Sequence, residues 1–176
     1  MLRKRLLVLS LAVVGLAGCN QHPAVPTQPK EDVVAPGEIG SRLPDFSVKD
    51  LQGHEVSSAD LRGKVVLIDF WATWCKPCKQ EMPGYQKFVD LYSYRGFAVV
   101  GLKFNDMPDI EDPILFAKKI GVRYPLAVAP DDLRQKFGGI EGLPTTMLYD
   151  RQGVLRYKVV GFEYTDTIES QIKPLL

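Results

Sequence analysis

The stretch Val65-Val66-Leu67-Ile68-Asp69-Phe70, running straight into Trp71-Ala72-Thr73-Trp74-Cys75-Lys76-Pro77-Cys78, constrains the fold more than any other part of the chain. A short apolar run rich in β-branched residues predicts a buried strand, and Pro77 fits the first turn of a helix. Cys75 therefore falls at a strand-to-helix junction, where free backbone N–H groups and the positive end of the helix dipole favour a thiolate. Lys76 adds a positive charge beside it. Cys78 follows one helical turn later, within reach of a disulfide to Cys75.

Three kinds of site use such a pair. Zinc takes four ligands and soft copper sites want further thiolate or imidazole donors, for which the chain offers only Cys19, His22 and His54. A structural disulfide closing so small a loop removes little entropy from the unfolded chain. A C-x-x-C within alternating strands and helices fits a redox site best.

Asp69-Phe70-Trp71-Ala72, Trp74-Cys75-Lys76-Pro77-Cys78 and the distant Gly142-Leu143-Pro144-Thr145-Thr146 together resemble the thioredoxin superfamily. Glu81-Met82-Pro83 resembles its membrane-tethered TlpA/ResA-like thiol-disulfide oxidoreductases, and the resemblance spans roughly residues 41 to 176. It implies that Cys75 is the nucleophile and Cys78 the resolving thiol, with a redox-active disulfide and no other cofactor or metal. Pro144 is expected to be cis and to pack against the disulfide, leaving the Leu143 backbone open to a substrate segment. Trp74, Lys76 and Pro77 are expected to border that surface. Asp69 and Glu81 are both candidate proton acceptors; family members with the Glu often lack the Asp, so the base stays unassigned between them.

The N-terminus carries Arg3-Lys4-Arg5, an apolar run from Leu6 to Leu16, and Leu16-Ala17-Gly18-Cys19. A basic segment, a short apolar run and small residues read as a secretory signal, and the apolar run is too short for a comfortable membrane span. Leu-Ala-Gly-Cys resembles the bacterial lipobox, which implies cleavage after residue 18 and lipidation of Cys19; an uncleaved signal anchor is the alternative. Lipidation leaves Cys75 and Cys78 as the free thiol pair. The chain has 22 basic and 21 acidic residues, and losing Arg3, Lys4 and Arg5 leaves 19 against 21, a net charge of −2. Nothing in that balance indicates nucleic acid.

Residues 19–42 hold Pro23, Pro26, Pro29 and Pro36 among polar residues without hydrophobic period, and are expected to form a tether. As a flexible coil of about 22 residues it would span roughly 25 Å. Residues 43–176 then form one α/β domain, a thioredoxin fold with a mixed sheet flanked by helices, an N-terminal β-hairpin and a central helical insertion. The hairpin is expected at Asp45–Val48 and His54–Ser57, with His54 a surface residue. The second core strand is expected over Phe97–Leu102, parallel to the first across a long helix kinked at Pro83. Asp106 to Asp112 is expected to be a solvated acidic loop. Thr145–Tyr149 and Val154–Val160, joined by a short Gly-containing turn, are expected to be antiparallel.

The expected activity is an extracytoplasmic, monomeric protein disulfide reductase acting on exported disulfide-containing proteins, apocytochrome c among the candidates, and fed by a membrane thiol donor. A disulfide-donating oxidant of the same fold is the alternative. Copper delivery would need a downstream His, which the chain lacks. A thiol peroxidase would need Pro and Thr ahead of its cysteine, where Trp74 and Thr73 stand in a different spacing. A non-catalytic adhesin or envelope protein would gain if Cys75→Ser left every phenotype unaltered.

Overall fold

The computed structural model describes residues 34–176. The signal segment, Cys19, His22 and most of the tether lie outside the described residues. In chain order the elements are β1 (Ser47–Lys49), β2 (Glu55–Ser57), β3 (Val65–Trp71), α1 (Lys76–Tyr92), β4 (Phe97–Lys103), α2 (Pro113–Lys119), β5 (Leu126–Val128), α3 (Asp131–Lys136), β6 (Thr145–Tyr149), β7 (Leu155–Val160) and α4 (Thr165–Ile172). β1 and β2 form the expected hairpin. The remaining strands form one sheet in the order β5-β4-β3-β6-β7. β4 runs parallel to β3, while β6 is antiparallel to it and to β7.

β3 lies at the centre because both of its faces are covered. All seven of its residues are buried, which is why it reads as a continuous apolar run rather than an alternation. On one face Phe70 packs edge-on against Phe137 and Phe104 at ring distances of 5.3 and 6.0 Å. On the other, Trp71 stacks on Phe116 of α2 at 5.1 Å. α1 covers the Trp71 face with Met82, Tyr85 and Phe88, at the spacing of one helical stripe. It runs through Pro83 as a single helix. Gly84 lets α4 approach closely, since a Cβ there would sit 2.2 Å from the Thr165 methyl.

Two boundaries differ from expectation. β4 continues past Leu102 to Lys103, whose side chain is buried and held in an ion pair described below. The described end of the expected 19–42 tether is also held in the domain. The Gly40 N–H donates to the Leu155 carbonyl and the Leu155 N–H to that of Ser41, both at 2.9 Å, so this segment lies along β7. Gly37 is pinned as well, at φ +79° with its would-be Cβ 2.2 Å from the Phe137 carbonyl oxygen. Only glycine fits there. Proline content marked residues 36–42 as tether, but their backbone hydrogen bonds place them in the domain.

Candidate active site

Cys75 is the N-cap of α1, and its sulfur accepts from the Cys78 N–H at 3.3 Å. Pro77 occupies the first turn, where its missing N–H costs nothing. Cys75 and Cys78 are joined in a disulfide, their Cα atoms 5.4 Å apart. Cys78 is fully buried and Cys75 nearly so. Lys76 is exposed, and Trp74 and Pro77 are half-buried beside it, so the rim of the site is the part a partner meets first.

Pairing across the sheet brings the second motif to the same place. Phe70 and Asp69 pair with Thr145 and Thr146. Leu143 and Pro144 therefore lie at the end of β3 from which the cysteine loop departs. The Leu143-Pro144 peptide is cis, as the resemblance implied. Pro144 is buried and Leu143 half-exposed.

Behind the disulfide lies a cluster of buried titratable groups. Asp69 is completely buried, and neither of its carboxyl oxygens has a hydrogen-bond partner among the described residues. Burial, and then the charge of Glu81, push its pKa well above the usual carboxylate range. Glu81 is only 1% exposed, so it is not an acid of the helix surface. It accepts from the Glu163 N–H at 2.6 Å and from the Tyr85 hydroxyl at 3.3 Å. Burial raises its pKa from 4.5 to about 7, against the opposing pull of those two donors. Tyr85 also shares a 2.9 Å hydrogen bond with Thr146. Tyr124, fully buried and unpartnered among the described residues, completes the cluster.

Tyr85 and Tyr124 were not foreseen as polar members of the site, because an aromatic residue in an apolar stripe reads as core. The signal available was the four-residue spacing of Glu81 and Tyr85, which puts both on one face of α1. The acidic loop was also read too simply. Thr73 donates to Asp109 at 2.8 Å and accepts from the Ile110 N–H at 3.2 Å. Lys79 pairs with Glu111 at 3.1 Å and lies over the Phe116 ring. The loop is exposed but anchored to the cysteine loop and to α1. His54, by contrast, is the surface residue expected, its ring against Asp50. Among the described residues no cluster of three or more His, Cys, Asp or Glu could hold a metal ion.

A cysteine pair at a helix N-terminus, a cis-proline opposite it and buried acids behind it are the parts of a thiol-disulfide exchange site. A sequence profile of the AhpC/TSA family matches residues 39–158. The chain belongs to that family. Within the thioredoxin superfamily its relatives are of the ResA type. It is 32% identical over 138 residues to the thiol-disulfide oxidoreductase ResA of Geobacillus kaustophilus (strain HTA426), covering 78% of each chain. It is 35% identical over 155 residues to the thioredoxin-like protein YneN of Bacillus subtilis (strain 168), covering 88% of this chain and 87% of that one. A solved thiol:disulfide interchange protein of Chlorobium tepidum TLS superposes with a TM-score of 0.70 at 30% identity, over 78% of this chain and 97% of that chain. The protein is a thiol-disulfide oxidoreductase with Cys75 and Cys78 as its C-x-x-C pair.

Proposed function

We propose that this protein is a reductant, transferring electrons from the Cys75-Cys78 dithiol to disulfides of exported proteins, apocytochrome c among them. The observation that carries the direction is the pair of buried acids behind the disulfide. Strong oxidants of this chemistry owe their potential to a stabilised thiolate in the reduced form. The poorly solvated surroundings that raise the pKa of Asp69 and Glu81 oppose negative charge on the neighbouring sulfurs as well, which favours the thiol and so a more reducing couple.

In the proposed cycle the Cys75 thiolate attacks one sulfur of a substrate disulfide, and the other substrate sulfur leaves as a thiolate. Cys78 then loses its proton and attacks Cys75 Sγ, which releases the second substrate thiol and closes the Cys75-Cys78 disulfide. Glu81 is the proton acceptor we assign to Cys78. It lies one turn further along α1, and a pKa of about 7 suits proton transfer near neutrality. Burial pushes the Asp69 pKa well above the usual carboxylate range, and we assign it a supporting role as a buried acid coupled to Glu81. Leu143 offers its backbone to the substrate strand, and Trp74, Lys76 and Pro77 form the surface on which it rests. No further cofactor enters the cycle, and a membrane thiol donor regenerates the dithiol.

The location we propose is outside the cytoplasm, with the monomer anchored through lipidated Cys19. Among the described residues no helix is long and apolar enough to cross a membrane, so the domain itself supplies no helical span. The test uses the reduced protein and an oxidised peptide bearing the C-x-x-C-H haem-attachment motif. Stoichiometric reduction of the peptide is expected. Oxidation of the reduced peptide by the disulfide form, with no transfer in the forward direction, would overturn the reading.

A further inference from the structure

Lys103 is the residue of the core that most needs explaining. It ends β4 in register with Trp71, four residues before Cys75, and on the same face of the sheet as Asp69 and α1. It is 1% exposed. Lysine is almost never so buried unless its charge is paired. Its ammonium donates to Asp109 at 2.8 and 3.0 Å, to the Phe104 carbonyl at 3.2 Å and to Asn105 at 3.3 Å. The same Asp109 carboxylate accepts from Thr73, two residues ahead of Cys75. One side chain of the inserted loop thus neutralises a buried cation near the cysteine loop and ties down the segment that carries the nucleophile.

We propose that Asp109 is a positioning residue that sets the reduction potential of the Cys75-Cys78 pair, by cancelling the Lys103 charge and holding the cysteine loop through Thr73. The consequence follows from electrostatics. An uncancelled ammonium in a poorly solvated site attracts a thiolate across several ångströms far more strongly than it would in water. Stabilising the thiolate of the reduced form makes the disulfide a stronger oxidant. With Asp109 in place the cation is balanced and the couple stays reducing. The proposal rests on the reading of the protein as a reductant and names the group that keeps it one.

Besides the cysteines, the other charged or titratable groups of these elements near the site are Lys76, Lys79 and Glu81 at the start of α1, Asp69 on β3, and Glu111, which pairs with Lys79. They are unchanged in the test variants, so differences between variants isolate Lys103 and Asp109. The full-length protein is equilibrated with glutathione buffers, and the thiolate of Cys75 is titrated through the pH dependence of its alkylation. Asp109→Asn, which can still accept from Thr73, is expected to shift the equilibrium about tenfold toward the reduced form. That equals about 30 mV toward the oxidant side for a two-electron couple. The alkylation midpoint should move to lower pH. Lys103→Met should shift both readouts the opposite way, and Asp109→Glu should restore the wild-type values.

A folded Asp109→Asn protein within twofold of wild type would overturn the proposal. So would shifts of the same sign in Asp109→Asn and Lys103→Met, since these report packing rather than charge. If Asp109→Asn does not fold, Lys103→Met decides alone, and an unchanged equilibrium there is equally fatal. The wild-type potential by itself tests whether the protein is a reductant, so failure of that reading is separable from failure of this one.

Discussion

Replacing Glu81 by glutamine tests the buried acid cluster through stability as well as rate. The carboxyl has a pKa of about 7 in the folded protein against 4.5 as an ordinary side chain. A raised acid binds more protons folded than unfolded between those two values. Its contribution is therefore fully present below about pH 4.5, and stability is lost progressively as pH rises from there through the folded value near 7. The full difference amounts to roughly 3 kcal/mol. A glutamine side chain keeps an oxygen for the Glu163 N–H and the Tyr85 hydroxyl, so Glu81→Gln should match wild type in urea unfolding of the oxidised protein near pH 4.5. At about pH 8 it should be the more stable by about 2–3 kcal/mol. Because Glu81 also raises the pKa of Asp69, its removal acts in the same direction at that site. Parallel stability curves for the two proteins, within about 0.5 kcal/mol across the range, would refute a carboxyl titrating near neutrality at this position.

Other perturbations probe separate parts of the account. Asp69→Asn should leave both the first attack by Cys75 and resolution of the mixed disulfide nearly unchanged, since Glu81 is the assigned acceptor; stopped-flow traces in which resolution alone slows severalfold would move the proton-accepting role to Asp69. Gly84→Ala puts a methyl carbon 2.2 Å from the Thr165 methyl and should cost about 1–3 kcal/mol by forcing α4 away from α1, measured by urea unfolding. Gly37→Ala combines the clash with the Phe137 carbonyl and a positive φ, and is expected to free the 34–42 segment to proteolysis while β7 stays folded. Cys19→Ser should release the protein into the soluble fraction and abolish acyl labelling; retention in the membrane would favour an uncleaved signal anchor.

Much of the fold was legible because the core strand and its helix obey local rules. Val65–Phe70 reads as a strand from its β-branched run, and Cys75-Lys76-Pro77 reads as a helix start from proline placement. Both hairpins declare themselves through Gly53 and Gly153 in their turns. The site was legible where chemistry is carried by one short motif, as for Cys75, Cys78 and Pro144. It was not legible where function depends on partners distant in sequence. Lys103 pairs with Trp71 across the sheet and is burial-compatible because Asp109 folds back to meet it, a contact that no local pattern announces. Asp69 reads as buried from its place in the core strand, but the depth of Glu81 depends on α1 and α4 closing over the sheet. Residues 36–42 misled because proline and glycine mark loops whether or not those loops are hydrogen-bonded to a neighbouring strand.

The reduction potential of the Cys75-Cys78 pair tests the central claim most directly. The full-length protein is equilibrated with glutathione buffers, and the redox state is followed by fluorescence of Trp71 and Trp74, which flank the site. The account predicts a value near or below that of thioredoxin, about −270 mV. A value of about −120 mV, that of a strong disulfide donor, would contradict it.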